Sequence, residues 1–166
     1  MLRPQDNQTR ERKNLNGLWQ FALDGDEQGQ DGRWFEGPLE QGREMAVPAS
    51  YNDIAADAAV RDHVGPVWYQ RTVWVPRGWA DRRVVLHFEA ATHRAVVWVN
   101  DQQVVSHVGG YTPFEVDVTA YATPGDQVRI TVQVDNTLTF QSVLIGAISY
   151  ASTRTPVVWP CPFTAG

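Results

Sequence analysis

Lysine is nearly missing from this chain: Lys13 is the only one among 14 basic residues, set against 19 acidic ones for a formal net charge of −5. The arginines are scattered rather than clustered, so the basic patch that phosphate neutralisation requires is lacking, and the composition excludes a nucleic-acid binder. Cysteine is as scarce, since Cys161 stands alone and can close neither an internal disulfide nor a zinc site. No apolar run approaches the roughly 18–20 residues of a membrane-spanning helix, in keeping with a mean hydropathy of −0.35. Residues 1–19 are polar and lack the apolar segment of a signal peptide, which predicts a cytoplasmic protein. A Gly-rich phosphate loop is also wanting, because Gly109-Gly110-Tyr111-Thr112-Pro113 opens a strand rather than a helix. His63, His87, His93 and His107 are spaced too widely for a local metal site and read as hydrogen-bonded structural residues, so no metal and no cofactor is implied.

What the chain does have is aromatic and β-branched residues. Its 166 residues are 43% hydrophobic and 11% aromatic, which suits a single domain with a full core. The hydrophobic period is two from end to end, with short alternating stretches separated by Gly, Pro, Asn and Asp. Over residues 127–134, Val128, Ile130, Val132 and Val134 share one face, while Arg129, Thr131 and Gln133 share the other, predicting one core face and one wet face. Residues 83–89 and 95–99 repeat the pattern, and Asn100-Asp101 before 103–105 reads as a hairpin turn. Phe114, Val116 and Val118 alternate with Glu115 and Asp117 ahead of a Thr123-Pro124-Gly125-Asp126 turn. Further strands are predicted at Gly17–Leu23 and 67–75, the second buried on both faces with Trp68 and Trp74 on one of them. Only 53–60 has helical composition, with Asn52 or Asp53 placed to cap it. Seven or eight strands in about this length predict an all-β fold, a two-sheet β-sandwich with Greek-key or jelly-roll connections and one short helix.

The chemistry on offer is binding chemistry. Glycosidic hydrolysis needs two carboxylates facing one another across a bond, but Glu89, Glu115 and Asp117 sit on strands whose opposite faces are core and read as solvent-facing. Ser50 lacks the Gly-x-Ser-x-Gly elbow of a nucleophile. No residue therefore qualifies as catalytic. The aromatic and amide-rich loops around Tyr51-Asn52-Asp53, 65–69 and 109–114 suit a carbohydrate, whose C–H faces pack on rings and whose hydroxyls need polar partners. Tyr51, Asn52, Asp53 and Tyr111 are the candidate carbohydrate-facing residues.

Five blocks in order, Gly17-Leu18-Trp19-Gln20-Phe21, Val47-Pro48-Ala49-Ser50-Tyr51-Asn52-Asp53, Val67-Trp68-Tyr69-Gln70-Arg71, Val97-Trp98-Val99-Asn100 and His107-Val108-Gly109-Gly110-Tyr111-Thr112-Pro113-Phe114-Glu115, closely resemble the N-terminal sugar-binding domain of glycoside hydrolase family 2. The shorter blocks are common to the family, including β-galactosidases; the last block and the Pro-x-Ser-Tyr-Asn-Asp block look like the β-glucuronidase branch. The resemblance covers residues 1–142. It implies a two-sheet jelly-roll, galactose-binding-like β-sandwich serving as a non-catalytic domain, whose parent hydrolyses β-D-glucuronides with retention, using two glutamates of a TIM barrel outside this chain. It also implies that the partners are the remaining domains of a homo-oligomeric parent and a glucuronide ligand, with no nucleic acid and no membrane.

Residues 143–166 change character: no acidic residue, no lysine, three prolines, and apolar clusters at 143–145 and 157–159. The family's Phe-His-Asp-Phe-Phe loop, whose Asp touches the sugar, is expected soon after Ser142 and is replaced by another sequence. Residues 143–166 are therefore read as a divergent tail, from a frameshift or an altered end, poorly anchored and leaving a neighbouring strand short of a partner unless 143–148 or 157–159 substitutes. Two other functions stay open on the residues alone: a free-standing carbohydrate-binding or protein-interaction module, and a fragment of a related β-galactosidase.

Overall fold

A computed structural model describes residues 5–137 and the strand Pro162–Ala165. The strands are β1 (Glu11–Asn14), β2 (Gly17–Leu23), β3 (Arg43–Val47), β4 (Pro66–Trp74), β5 (Val84–Phe88), β6 (Arg94–Val99), β7 (Gln102–Val108), β8 (Phe114–Asp117), β9 (Gln127–Asp135) and β10 (Pro162–Ala165), with short helices α1 (Tyr51–Ile54) and α2 (Ala58–Arg61) between β3 and β4. They form a six-stranded sheet ordered β3-β2-β4-β9-β6-β7 and a four-stranded sheet ordered β1-β10-β5-β8, with antiparallel pairing throughout. The all-β expectation holds.

One core lies between the sheets, built by the alternation seen in the sequence. Val128, Ile130, Val132 and Val134 of β9 meet Leu86 and Phe88 of β5 and Phe114 of β8 in a single cluster, which Trp19, Phe21 and Tyr69 complete from β2 and β4. Burying each such side chain stabilises the fold by about 1.5–3 kcal/mol. Phe88 stacks on Phe114 with centroids 4.7 Å apart, so the four-stranded sheet locks its β5–β8 pair with an aromatic contact.

The second face of β9 departs from expectation. Thr131 and Gln133 are buried, because residues 24–42 fold back over the outside of the six-stranded sheet. Beneath them Phe35 stacks on Trp98 (5.0 Å), Trp98 on Trp68 (5.1 Å), and Trp34 leans on Trp68 at 52°. The cover is pinned by polar contacts. Trp68 Nε1 donates to Asp24 (2.9 Å), Gln70 accepts from Leu39 N and donates to Gly37 O and Thr131, and Arg129 donates to Phe35 O and Glu36 O. The cover stops short of the end of β4, so Trp68 is buried on its outer face as expected while Trp74 is 58% exposed.

The helical stretch also differs. Instead of one helix over 53–60 there are two single turns, α1 beginning after Ser50 and α2 capped by Asp57, whose carboxylate accepts from Ala59 N. The hairpin at Asn100-Asp101 is present, with Asn100 at φ 54° and its side chain accepting from Arg129 N. Strands β1 and β3 escaped the sequence pattern because they are short and polar, Glu-Arg-Lys-Asn and Arg-Glu-Met-Ala-Val. The place between β1 and β5 is taken by β10, whereas the clusters at 143–148 and 157–159 lie outside the described residues.

Candidate functional site

Strand register brings several loops to one end of the six-stranded sheet. Asp135, at the end of β9, pairs with Pro66 at the start of β4 and with Arg94 at the start of β6, which in turn pairs with Val108 at the end of β7. Leu23 at the end of β2 lies beside Val67. Residues 63–65, 91–93, 109–113 and 136–137 therefore gather at this end, and hydrogen bonds join them. Asn136 Nδ2 donates to Tyr51 Oη (2.8 Å) and His63 O (3.1 Å), and its Oδ1 accepts from Gly65 N (2.7 Å). His93 N donates to Asp135 O, Gly109 N to His93 O, and Thr92 Oγ1 to Gly110 O.

The four residues expected to face a carbohydrate separate into two kinds. Tyr51 is fully buried: its ring packs on Phe21 at 5.4 Å and its hydroxyl donates to His63 O while accepting from Asn136. Burial pushes its pKa upward against the weaker effect of the Asn136 hydrogen bond. It anchors the loop rather than presenting itself to a ligand, because an aromatic ring inserted from a short helix gains more by joining the core than by facing water. Asn52 donates to Arg61 O (2.5 Å), tying α1 to the end of α2. Asp53 is exposed, and Tyr111 is 76% exposed on the 109–113 loop. The hydrogen-bonded chain through Asn136, Asp135, His93 and Gly109 brings these two loops to the same end of the sheet.

Asn136 is the residue at this end that the sequence reading missed. It lies just past a recognisable strand, and nothing local marks an Asn there as the knot of three segments. Around this end the surface is apolar as well as polar, with Ile54 52%, Val64 71% and Val108 48% exposed.

Of the three carboxylates considered for catalysis, Glu89 just past β5 is half-buried rather than solvent-facing, and Asp117 and Glu115 sit beside local partners. Asp117 accepts from Thr119 N (3.0 Å) and Thr119 Oγ1 (2.6 Å) and pairs with Arg83, which together hold its pKa below the ordinary value. Glu115 lies 3.5 Å from Nδ1 of the buried His87 opposite it on β5. The histidines have unlike surroundings: His63 Nε2 is 3.0 Å from Pro66 O, and His107 stacks on Phe114 at 4.3 Å with Nε2 3.0 Å from Thr112 Oγ1. Among the described residues no group of three or more His, Cys, Asp or Glu is arranged to hold a metal ion, and no helix is long and apolar enough to cross a membrane. What the loop end offers is an exposed tyrosine, a carboxylate and apolar side chains on a hydrogen-bonded base, which is the equipment of a binding face.

Residues 12–146 match the family described as glycosyl hydrolases family 2, sugar binding domain. A β-glucuronidase of Paenibacillus borealis is 49% identical over 148 residues, covering 89% of this chain and 25% of that protein. The mouse β-glucuronidase is 42% identical over 161 residues, 90% of this chain and again 25% of the relative. Among solved structures, a β-glucuronidase from an uncultured Clostridium superposes with a TM-score of 0.90 at 42% identity, over 99% of this chain and 30% of that one. The Ruminococcus gnavus β-glucuronidase in complex with D-glucuronic acid gives 0.88 at 28% identity, over 99% of this chain and 31% of that one. The chain thus spans about a quarter of the length of the curated relatives it matches.

Proposed function

The chain belongs to the sugar-binding domain family of the family 2 glycosyl hydrolases, and from that premise we propose that it serves as the non-catalytic N-terminal domain of an enzyme that hydrolyses β-D-glucuronides with retention. One observation carries the reading: 49% identity to a β-glucuronidase extends over 89% of this chain while spanning only 25% of that relative. The retaining chemistry, two carboxylates flanking the glycosidic bond, belongs to the remainder of such an enzyme, and its homo-oligomeric assembly is part of the same proposal. The two sheets are, in this reading, the family's jelly-roll; residues 143–166 diverge in sequence from the domain of residues 1–142, yet Pro162–Ala165 supply an inner strand of its smaller sheet.

Within the complete enzyme the loop end borders the substrate cleft. Asp53 and Tyr111 are the side chains there that reach a glucuronide; Asn52, Tyr51 and Asn136 hold the loops that carry them. The exposure of Tyr111 and Asp53 above a base of partly buried hydrogen bonds supports this division.

The test is a chimera in which residues 12–137 replace the matching segment of the Paenibacillus borealis relative. It is expected to hydrolyse p-nitrophenyl β-D-glucuronide and to leave the β-D-galactoside untouched. Tyr111→Ala and Asp53→Ala in that chimera are expected to lower kcat/KM about tenfold without lowering soluble yield, the effect of about 1.4 kcal/mol of lost transition-state binding. A folded chimera that hydrolyses no glucuronide would overturn the assignment, and unchanged kinetics in both variants would make the loop purely structural.

A further inference from the structure

Strand β3 begins at Arg43, opposite Phe21, so Ala22 and Leu23 of β2, paired with β4 on one side, run on without a strand along their other edge. The cover segment bends across this corner without filling it. The result is an open groove of about 470 Å³, lined among others by Leu23, Trp34, Pro38, Glu40, Gln41 and Arg43, within the volume range of small-molecule sites. It lies on the outer side of the sheet corner, and Arg43 links it to the α1–α2 segment through an ion pair with Asp57 at 3.4 Å.

We propose that this groove is a saccharide subsite that takes one pyranose ring against Trp34. A pyranose is amphipathic: its C–H face needs a rigid apolar wall, and its hydroxyls need donors and acceptors together. Trp34 supplies the wall. It is held in place by its contact with Trp68, centroids 5.8 Å apart, so a ligand finds it already ordered. Its Nε1–H makes no hydrogen bond among the described residues. Gly32 keeps that N–H approachable, since a Cβ at residue 32 would come to 3.1 Å from Nε1. Leu23 and Pro38 extend the apolar floor, Glu40 brings an acceptor, Gln41 both kinds of group, and Arg43 donors. Arg33 and Arg43 also line the groove, but each is paired with a carboxylate, Glu36 and Asp57, so with Glu40 the lining carries no excess positive charge to draw a phosphate, and a purely apolar ligand would leave these polar groups without partners. The proposal rests on the groove and not on the glucuronidase reading.

The 166-residue chain, labelled with nitrogen-15, is titrated with methyl β-D-glucopyranoside, with methyl β-D-glucuronide and with cyclohexanol, following the Trp34 indole N–H assigned by its loss in Trp34→Phe. A saturable shift of that signal with at least one of the two sugars, at a Kd of about 1 mM, and not with cyclohexanol, is the expected result; which sugar binds more tightly tells a neutral from a uronate preference. Trp34→Ala is expected to abolish binding. Because that change also loosens the cover, the deciding variant is the exposed pair Glu40→Ala with Gln41→Ala, expected to weaken binding about fivefold, the loss of one net hydrogen bond, with the Trp34 signal otherwise in place. No saturable shift with either sugar, equal shifts with cyclohexanol, undiminished affinity in the double variant, or shifts confined to the Tyr111 loop would each overturn the proposal. An inactive chimera beside a positive titration would overturn the enzyme reading alone.

Discussion

Asn136 joins three segments with one carboxamide. Its loss leaves the Gly65 N–H without its acceptor and the Tyr51 hydroxyl without a donor, both at partly buried positions. Asn136→Ala is therefore expected to lower stability by about 3 kcal/mol, read as a drop in the urea midpoint at unchanged slope. Asn136→Asp keeps an oxygen for Gly65 N but has no donor for Tyr51 or His63, so it should recover only part of the loss. Neighbouring His93 makes a prediction in pH. Burial depresses its pKa below the ordinary 6.5, outweighing the opposing pull of Asp135. Above about 6.5 it is neutral folded and unfolded and contributes no pH dependence. As pH falls below that value the unfolded chain takes up the proton first, so stability is lost progressively down to the depressed folded pKa. Urea midpoints at pH 7.5 and 5.5 should differ more for the wild type than for His93→Gln; equal differences would mean that His93 is not responsible.

At the scale of elements, the alternation of β2, β4, β6 and β9 was legible because a strand's two faces are written into successive residues. The cover over residues 24–42 was not, because its partners are far apart in sequence: Asp24 with Trp68, Gln30 with Gln133, Phe35 and Glu36 with Arg129. Arg129 also pairs with Asp101 at 2.5 Å, so it ties the cover to the β6–β7 hairpin. Arg129→Ala should speed hydrogen exchange across residues 30–39 while leaving β9 protected, an outcome specific to an unpinned cover. Strand β10 makes a second prediction. It lies between β1 and β5, so both its edges are paired. A proline in such a strand cannot donate to the ladder, and Thr164→Pro is expected to lower the thermal midpoint by about 5 °C and to promote association through the freed edges of β1 and β5. An unchanged midpoint would mean that β10 adds nothing to the sheet.

For the whole molecule, the two sheets enclose one core and leave two features at the periphery: the loop end around Asn136 and the corner groove beside Trp34. The chain spans about a quarter of its curated relatives, and of the carboxylates weighed for catalysis Asp117 is held by Thr119 and Arg83 while Glu115 lies across from His87. The 166-residue chain by itself is accordingly expected to release no nitrophenol from p-nitrophenyl β-D-glucuronide. Turnover that co-elutes with the chain on gel filtration and is lost on mutating Glu115 or Asp117 would place catalysis here instead.

The sequence by itself determined the class of fold, the strands with clean alternation, the hairpin at Asn100, and, through its five blocks, the family. These are local or near-local properties: side-chain direction alternates along a strand whatever lies opposite, and a motif is read in place. Only the tertiary structure decided that Tyr51 is buried with its hydroxyl bonded to Asn136, that Thr131 and Gln133 lie under a cover, that β10 fills the small sheet, and that a groove remains beside Trp34. Each of these depends on which distant segment arrives to occupy a surface, and arrival is governed by the packing of the whole chain, on which a strand's own period is silent.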